Sequence, residues 1–467
     1  MGTRFLGIFV HPAHVQSEGL QPVFDNLEAA GATAVAFVPR VARPALDGTG
    51  VRFPDLHVDG YKRVLARPVW GRREINLEMF RAHEPDLSLY QGCSYQPTTK
   101  PVPAEVNNGL PRAMVEEAKR RGMEAHLQLH PFVLPRLKSQ DQPVYVDGTR
   151  PTGPLVADVA CPNNPDARAY ARALVQDTIQ HYGDIDGLFL DWAEFPAYRL
   201  EDHFACFCPH CEQRARDAGF DWDRIKLDVA ALWRRLHRLT PAELETTRRI
   251  VRNPSALVEL LMSHPGWVSF LRFKAQTVVG FYRQIRRLLD ELGLHAVHLS
   301  ARGWPPPWNR SSGMDYRLLA DVCDAVTPKL FTFDYSALPR WYGETLLAWN
   351  PGLSESGVLD ALVAWMQLDD DIVHRTFAHY QAPSPTAPHP ARLEVYRPRL
   401  DEVATQVGNR ARLYPFAHAS LPESQWEQML TLIGDSPADG MWVQMYGYLD
   451  DRKLAALGAS RFSSGDS

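Results

Sequence analysis

Residues 185–196 read IDGLFLDWAEFP. The first half is apolar and strand-like, yet the run stops at Asp191 and, three residues on, at Glu194, with Trp192 between them. Side chains alternate across a strand. With Leu188 and Leu190 on one face, Gly187, Phe189 and Asp191 share the other. A buried strand that ends in carboxylates fits one strand of a parallel barrel. In such barrels the polar tips converge at the C-terminal end and form the site.

Seven further segments repeat the pattern. They are 5–11 FLGIFVH, 33–40 TAVAFVPR, 124–130 EAHLQLH, 294–302 LHAVHLSAR, 324–331 DAVTPKLF, 412–418 RLYPFAH and 440–446 GMWVQMY. Between them lie stretches of helical period: 110–122, 165–182, 266–292 and 421–433. In 165–182 the stripe is Ala171, Leu174, Val175, Thr178 and Ile179. Eight alternations of strand and helix predict an α/β protein, a single (β/α)8 TIM barrel over residues 1–460. Connections 41–108 and 192–265 exceed the usual few residues. Both fall on the strand-to-helix side, so they predict two insertions on the C-terminal rim. The tail 461–467, RFSSGDS, is expected to be disordered.

Composition narrows the function. The chain has 467 residues, 45% of them hydrophobic, with 50 basic and 55 acidic side chains. No basic run suggests nucleic acid or an anionic membrane. No apolar run approaches the ~20 residues of a membrane helix, and the start MGTRFLGIFVHP lacks a signal-peptide pattern. The expectation is a soluble, cytoplasmic protein with no nucleic-acid or membrane partner. Association with further copies of itself is left open.

The same alternation predicts which tips face the barrel axis: His11, then Gln128 and His130 above His126, then Arg302, Lys329, His418, and Gln444 with Tyr446. Burying each without a partner costs about 1–3 kcal/mol, so a ring of them predicts a wet, hydrogen-bonding pocket. The aromatics Trp192, Trp304, Trp308, Tyr335, Trp341, Trp442 and Tyr446 supply flat faces of the kind that suit sugar rings.

Glycoside hydrolysis needs two carboxyls, one ionised and one protonated. Asp191 is the first candidate, held ionised by Lys329, Arg302 or His130. The second is Glu194 or Asp334, in FTFDYSALP after the sixth strand. No G-x-S-x-G elbow, Walker loop or G-x-G-x-x-G motif opens a helix. A hydrolytic metal on His11, His14, His126, His130 and His418 is an alternative, as is a barrel that binds sugar without cleaving it.

HFACFCPHCEQR places Cys206, Cys208 and Cys211 in a C-x-C-x-x-C run. Three thiolates in six residues need a cation, and tetrahedral zinc is the usual one. Cys93 and His203 lead as the fourth ligand, with Cys161 and His210 behind. With Cys93, a structural zinc would tie the two long loops together.

RAYARALVQDTIQHYGDIDGLFLDWAEFP resembles a block in uncharacterised glycosyl-hydrolase-like barrels, including the family-10-like lipoprotein group. There the matching strand runs Asp-Gly-x-x-x-Asp and ends near a proline, as Asp186, Gly187, Asp191 and Pro196 do in this sequence. CFCPHCEQRAR is similar to the zinc cluster of family 42 β-galactosidases, where a more distant cysteine completes the site; that makes Cys93 a natural fourth ligand. Family 42 enzymes carry an Asn-Glu pair after strand four and a glutamate at strand seven. This chain has Asp-Trp-Ala-Glu and His418, so that catalytic machinery does not transfer. An aspartate at strand four with another after strand six looks instead like the α-galactosidase arrangement, which implies Asp191 as nucleophile and Asp334 as acid/base. The combined expectation is a glycoside hydrolase acting on a carbohydrate. His11, Gln128, His130, Trp192, Arg302, Trp304, Lys329, His418, Gln444 and Tyr446 would bind the sugar, and the basic groups among them hint at an acidic one.

Overall fold

The computed structural model describes residues 4–46, 48–55, 63–153, 156–250, 253–368, 371–381, 387–389 and 392–462. Eight parallel strands close a barrel: β1 (Phe5–Phe9), β2 (Ala34–Phe37), β3 (Glu124–Leu129), β4 (Gly187–Leu190), β5 (His298–Gly303), β6 (Ala325–Leu330), β7 (Phe416–His418) and β8 (Gly440–Gln444). Each pairs with the next, and β8 returns to β1 with Phe5 opposite Gly440. A two-residue strand, Arg412–Leu413, precedes β7 and also pairs with β6. All eight expected segments supply a strand. The strands are short, apolar runs buried on both faces, as parallel strands under a helical coat must be.

The barrel interior is filled by alternating small and large side chains. Gly7 faces the Trp442 ring, and Gly187 faces His126. Trp442 in turn meets Phe189 edge-on at 4.6 Å and His126 at 5.1 Å. Interiors of this density leave no room for an added methyl. This layer therefore blocks the barrel axis; a cavity of about 670 Å³ opens below it at the N-terminal end, and a separate one opens above it at the C-terminal end.

Local chemistry starts the helices that follow the strands. Asn164 caps Pro165–Tyr182, its side chain accepting the N–H groups of Asp166 and Ala167, with Pro165 in the first turn. His11 caps Pro12–Glu18 through Nδ1, which accepts the Ala13 N–H at 3.2 Å. The tip of β1 is thus also a helix cap, which fixes the imidazole at the barrel mouth.

Both rim insertions are present. Residues 41–108 supply most of a three-stranded antiparallel sheet, in which Ile75–Arg81 lies between Arg40–Pro44 and Val51–Phe53. Residues 192–265 form helices Pro209–Asp217, Trp222–Leu236, Pro241–Ile250 and Pro254–Ser263, and lead into the long helix Pro265–Glu291. A third excursion follows β6, with helices Thr332–Trp349, Glu355–Trp365 and Tyr396–Val407. Sequence reading counts only two long connections and does not include this one. Of the expected tail 461–467, Phe462 is fully buried, and residues 463–467 lie outside the described residues. No described helix is long and apolar enough to cross a membrane.

Gly7→Ala should force the Trp442 ring aside and cost about 1–3 kcal/mol. Urea denaturation with an unchanged midpoint would show that the inner layer is looser than this packing implies.

Candidate active site at the barrel mouth

The mouth holds a cavity of about 450 Å³. Strand tips form its floor: Phe9 and His11, Gln128 and His130, Asp191, Lys329, Phe416 and His418, and Gln444. Arg40, at the end of the second strand-like segment, and Arg52, Phe53, Asp55, Arg63 and Met79 of the first insertion supply one wall. Trp192 and Tyr198 close the other side.

Asp191 is the most strongly held group. Lys329 Nζ lies 2.7 Å from its Oδ1, and an Arg302 nitrogen lies 3.7 Å from Oδ2. Burial pushes its pKa up, but Lys329, then Arg302 and His130, outweigh that and leave it at about 2. The carboxylate is ionised at any ordinary pH. The next residue, Trp192, takes a left-handed backbone (φ 58°), and its N–H donates to Asp191 Oδ1 at 3.0 Å. A non-glycine residue in that region costs of order 1 kcal/mol or more. The turn it makes leaves the indole ring 4.9 Å from the Lys329 ammonium.

Arg302 lies beneath the cavity rather than in its wall. It is fully buried, stacked between Phe189 and Phe416 at 4.4 and 3.7 Å, and donates to Gln128. Gln128 in turn lies 3.0 Å from His130 Nε2. Burial, followed by the His14 and Arg40 charges, drops His11 to about 3. Burial drops His130 to about 4, with Asp191 opposing and Arg40, Arg302 and Lys329 assisting. Both rings are neutral near pH 7 and can donate or accept. His418 Nδ1 accepts from the Ser420 hydroxyl at 2.8 Å, and its Nε2 lies 3.3 Å from Arg63.

Glu194 is 2% exposed and lies outside the cavity wall. Its Oε2 accepts from the Ser312 hydroxyl at 3.1 Å and the Trp304 N–H at 3.3 Å, and its Oε1 lies 3.8 Å from Lys329 Nζ. Burial raises its pKa to about 7; Lys329 opposes and Asp191 adds to the rise. Gly303 leaves the space its carboxylate occupies, since a Cβ there would meet Oε2. One ammonium thus serves two carboxyls of opposite character.

Several expected positions fall elsewhere. Asp334 is buried in the first turn of Thr332–Trp349 and does not line the cavity. Trp304 packs against Tyr198 at 4.6 Å and is 2% exposed. Tyr446 points away from the axis: its hydroxyl donates to Glu18 and accepts from Asn26, both at 2.7 Å. The reason is that β8 ends at Gln444 and a 3-10 turn, Tyr446–Tyr448, follows, so strict alternation stops two residues early. Tyr448 takes the place in the wall.

Asp55, Arg40, Arg63 and Tyr198 line the cavity and were not singled out from sequence. Arg40 ended the second strand-like segment and could have been read as its tip. Asp55 and Arg63 sit in the long insertion, where no periodicity says which way a side chain turns. Asp55 is the only cavity-lining carboxyl besides Asp191 among the described residues. Burial raises its pKa against the pull of Arg63.

Cys161, Cys206, Cys208 and Cys211 are buried with their sulfurs within 4.8 Å of one another. The closest pairs are 3.4 and 3.6 Å apart, near the roughly 3.8 Å edge of a tetrahedron with 2.3 Å zinc–sulfur bonds. Backbone N–H groups of Val144 and Asn163 point at Cys206 and Cys161, at 3.3 and 3.4 Å. The Asn163 amide reaches Cys211 at 3.3 Å. Such donors suit thiolate ligands. Cys93 is not in this group, and His203 bonds the Tyr342 hydroxyl at 2.8 Å instead. Cys161 just precedes the helix capped by Asn164, so the cluster joins the second insertion to the β3–β4 connection, not to the first insertion. Among the described residues no set of histidines gathers as a metal site.

No family model matches the sequence, and no curated protein matches it. Solved structures do resemble it. A polyextremophilic β-galactosidase from the Antarctic haloarchaeon Halorubrum lacusprofundi aligns over 99% of this chain and 58% of its own, with a TM-score of 0.51 and 13% identity. A β-galactosidase from the psychrophilic Marinomonas ef1 aligns over 97% and 58%, with 0.50 and 10%. The chain spans a little over half the length of these two relatives. They share its fold: a closed parallel barrel of eight strands inside helices.

Lys329→Met removes the ammonium from Asp191 and leaves a buried charge half-compensated. The folded state should lose about 3–5 kcal/mol, and the Asp191 carboxyl should titrate well above its present value. Urea denaturation would measure the first, and carbon NMR of labelled aspartate the second. An unshifted titration would mean that Lys329 does not set the charge of Asp191.

Proposed function

We propose that the chain is a glycoside hydrolase whose ionised carboxylate is Asp191. The observation that carries this reading is Asp191 itself: a carboxylate in the wall of a mouth cavity, held charged by Lys329 and Arg302. An oxocarbenium-like transition state is positive, and a fixed anion beside it stabilises what develops. The surrounding donors, His11, Gln128, His130, His418 and Gln444, match the hydroxyl edge of a sugar ring. Trp192 and Tyr198 offer flat faces. The β-galactosidase barrels of similar fold add support from the kind of chemistry their names give.

The leaving oxygen needs a proton. Asp55 reaches the cavity and is driven toward its neutral form by burial, so it is assigned the donor. Glu194 holds a proton near neutral pH but stands behind Lys329. Its part is positioning: while neutral, it leaves the ammonium to Asp191. As pH rises through about 7, Glu194 ionises and competes for that ammonium. Asp334, buried outside the cavity, is assigned no part in the chemistry.

Asp191→Asn should reduce kcat on a cleaved glycoside by about 10³-fold or more, a loss on the scale of one transition-state electrostatic contact, while sugar binding remains. Undiminished turnover would overturn the hydrolase assignment. Glu194→Gln should remove the inflection near pH 7 from the kcat/KM profile and leave substantial activity at pH 5. An unchanged profile would put the inflection on another group.

The four-cysteine cluster is assigned a structural zinc. All four positions are closed by thiolates, so the metal would neutralise the sulfurs and fasten the second insertion, leaving no open position for chemistry. Elemental analysis should find one zinc per chain, lost in Cys161→Ser and kept in Cys93→Ser. The reverse pattern would restore Cys93 as the ligand.

A further inference from the structure

The mouth cavity does not end at Asp191. A second cavity of about 290 Å³ adjoins it and shares Val38, Arg40, Met79, Gln128 and His130 with it. The second lining also includes Arg81, His83 and Lys100, and no Asp or Glu among the described residues. Most of that charge is already paired: Arg81 with Asp177, Lys100 with Glu78, and His83 3.6 Å from Asp177.

Arg40 differs. Its guanidinium makes no hydrogen bond or ion pair among the described residues, although it lines both cavities. The charged groups that act on it or feel it are Arg81, His11 and His130, with the Tyr170 ring system beside it. No carboxylate is among them. Arg40 is solvent-exposed, and its fork of five donors stands at the junction of the two cavities, a shape complementary to a planar or tetrahedral anion.

We propose that this second cavity is a subsite for an anionic group on the substrate, a carboxylate or sulfate carried by the sugar unit next to the one at Asp191, and that Arg40 selects it. The inference rests on the glycoside-hydrolase reading of Asp191 and gives that site its substrate class: a charged oligosaccharide rather than a neutral one. The unit bearing the anion lies toward β2 and β3, over Gln128 and His130. A carboxylate would engage Arg40 through two parallel N–H bonds, and a sulfate through the same pair with a third oxygen left toward Lys100.

The test uses Asp191→Asn as a binding form of the full chain. Calorimetry would compare a galacturonate trisaccharide, a chondroitin sulfate tetrasaccharide and a neutral galactotriose. At least one anionic ligand should bind about tenfold tighter than the neutral one, as expected for a charge-assisted pair, and whichever anion wins identifies the group. Arg40→Met in the same background should erase the difference without weakening the neutral ligand. Arg40→Lys should keep the charge but recover only part of the preference; it carries the test if the methionine variant fails to fold. Equal binding of neutral and charged ligands, or an anion preference that survives Arg40→Met, overturns the subsite. If the native enzyme cleaves none of these sugars yet anion binding still depends on Arg40, the subsite stands and the hydrolase reading fails. If it cleaves neutral glycosides with no anion preference, the reverse holds.

Discussion

One lysine organises the mouth of this barrel. Lys329, at the inward tip of β6, stands 2.7 Å from Asp191 and 3.8 Å from Glu194. Both carboxyls lie within 3.8 Å of the same ammonium, and burial works against charge on each. The geometry resolves the conflict by giving them different neighbours. Asp191 also has Arg302 and faces the cavity. Glu194 has only neutral donors, Ser312 and Trp304, and is sealed behind Gly303. Their pKa values separate, to about 2 and about 7. Separation of paired carboxyls by environment is how one fold keeps an anion and an acid side by side.

The rest of the structure serves that arrangement. Tight packing of Trp442, His126 and Phe189 over Gly7 and Gly187 blocks the barrel axis, so the tips meet at a fixed height. Arg302 can be buried without an acid of its own at hydrogen-bond distance because two rings sandwich it and Gln128 accepts from it. The long helix Pro265–Glu291 supports β4 from outside, through the Tyr282 hydroxyl on the Leu190 carbonyl at 3.1 Å. The first insertion then raises a wall of arginines and one aspartate around the opening. Electrostatically the wall is more basic than the chain, whose net charge is −5.

The cysteine cluster solves a separate problem. The second insertion begins right after Asp191 and Trp192, so any freedom in it would reach the site. Four buried sulfurs at the start of that insertion, three on it and one at Cys161, anchor it to the β3–β4 connection. The sequence shows three of the four because they crowd within six residues. The fourth lies forty-odd residues upstream in a connection with no periodicity, and spacing carries no information across it. On sequence grounds Cys93 and His203 rank ahead of Cys161; the chain path brings Cys161 to the cluster instead.

Much of the fold was legible because it depends on repetition. Eight apolar runs with polar tips, separated by helical stretches, admit few architectures, and period two then assigns His11, Gln128, His130, Asp191, Lys329 and His418 to the axis. Each of these lines the cavity. The reading fails where repetition fails. Tyr446 lies past the last residue of β8, so alternation no longer governs it. Glu194 and Asp334 sit in connections, where sequence shows a carboxyl but not whether it faces the cavity or the core. Asp55 owes its place at the mouth to the path of an insertion, which no local pattern encodes, whereas Arg40 closes the second strand-like segment and was open to the same tip reading. What the sequence read by itself is the barrel and the inward face of each strand as far as the strand runs, because strand geometry is local. Tertiary structure alone decided which carboxyls share Lys329, which cysteine completes the cluster and which arginine stands between the two cavities, because those depend on distances between segments far apart in the chain.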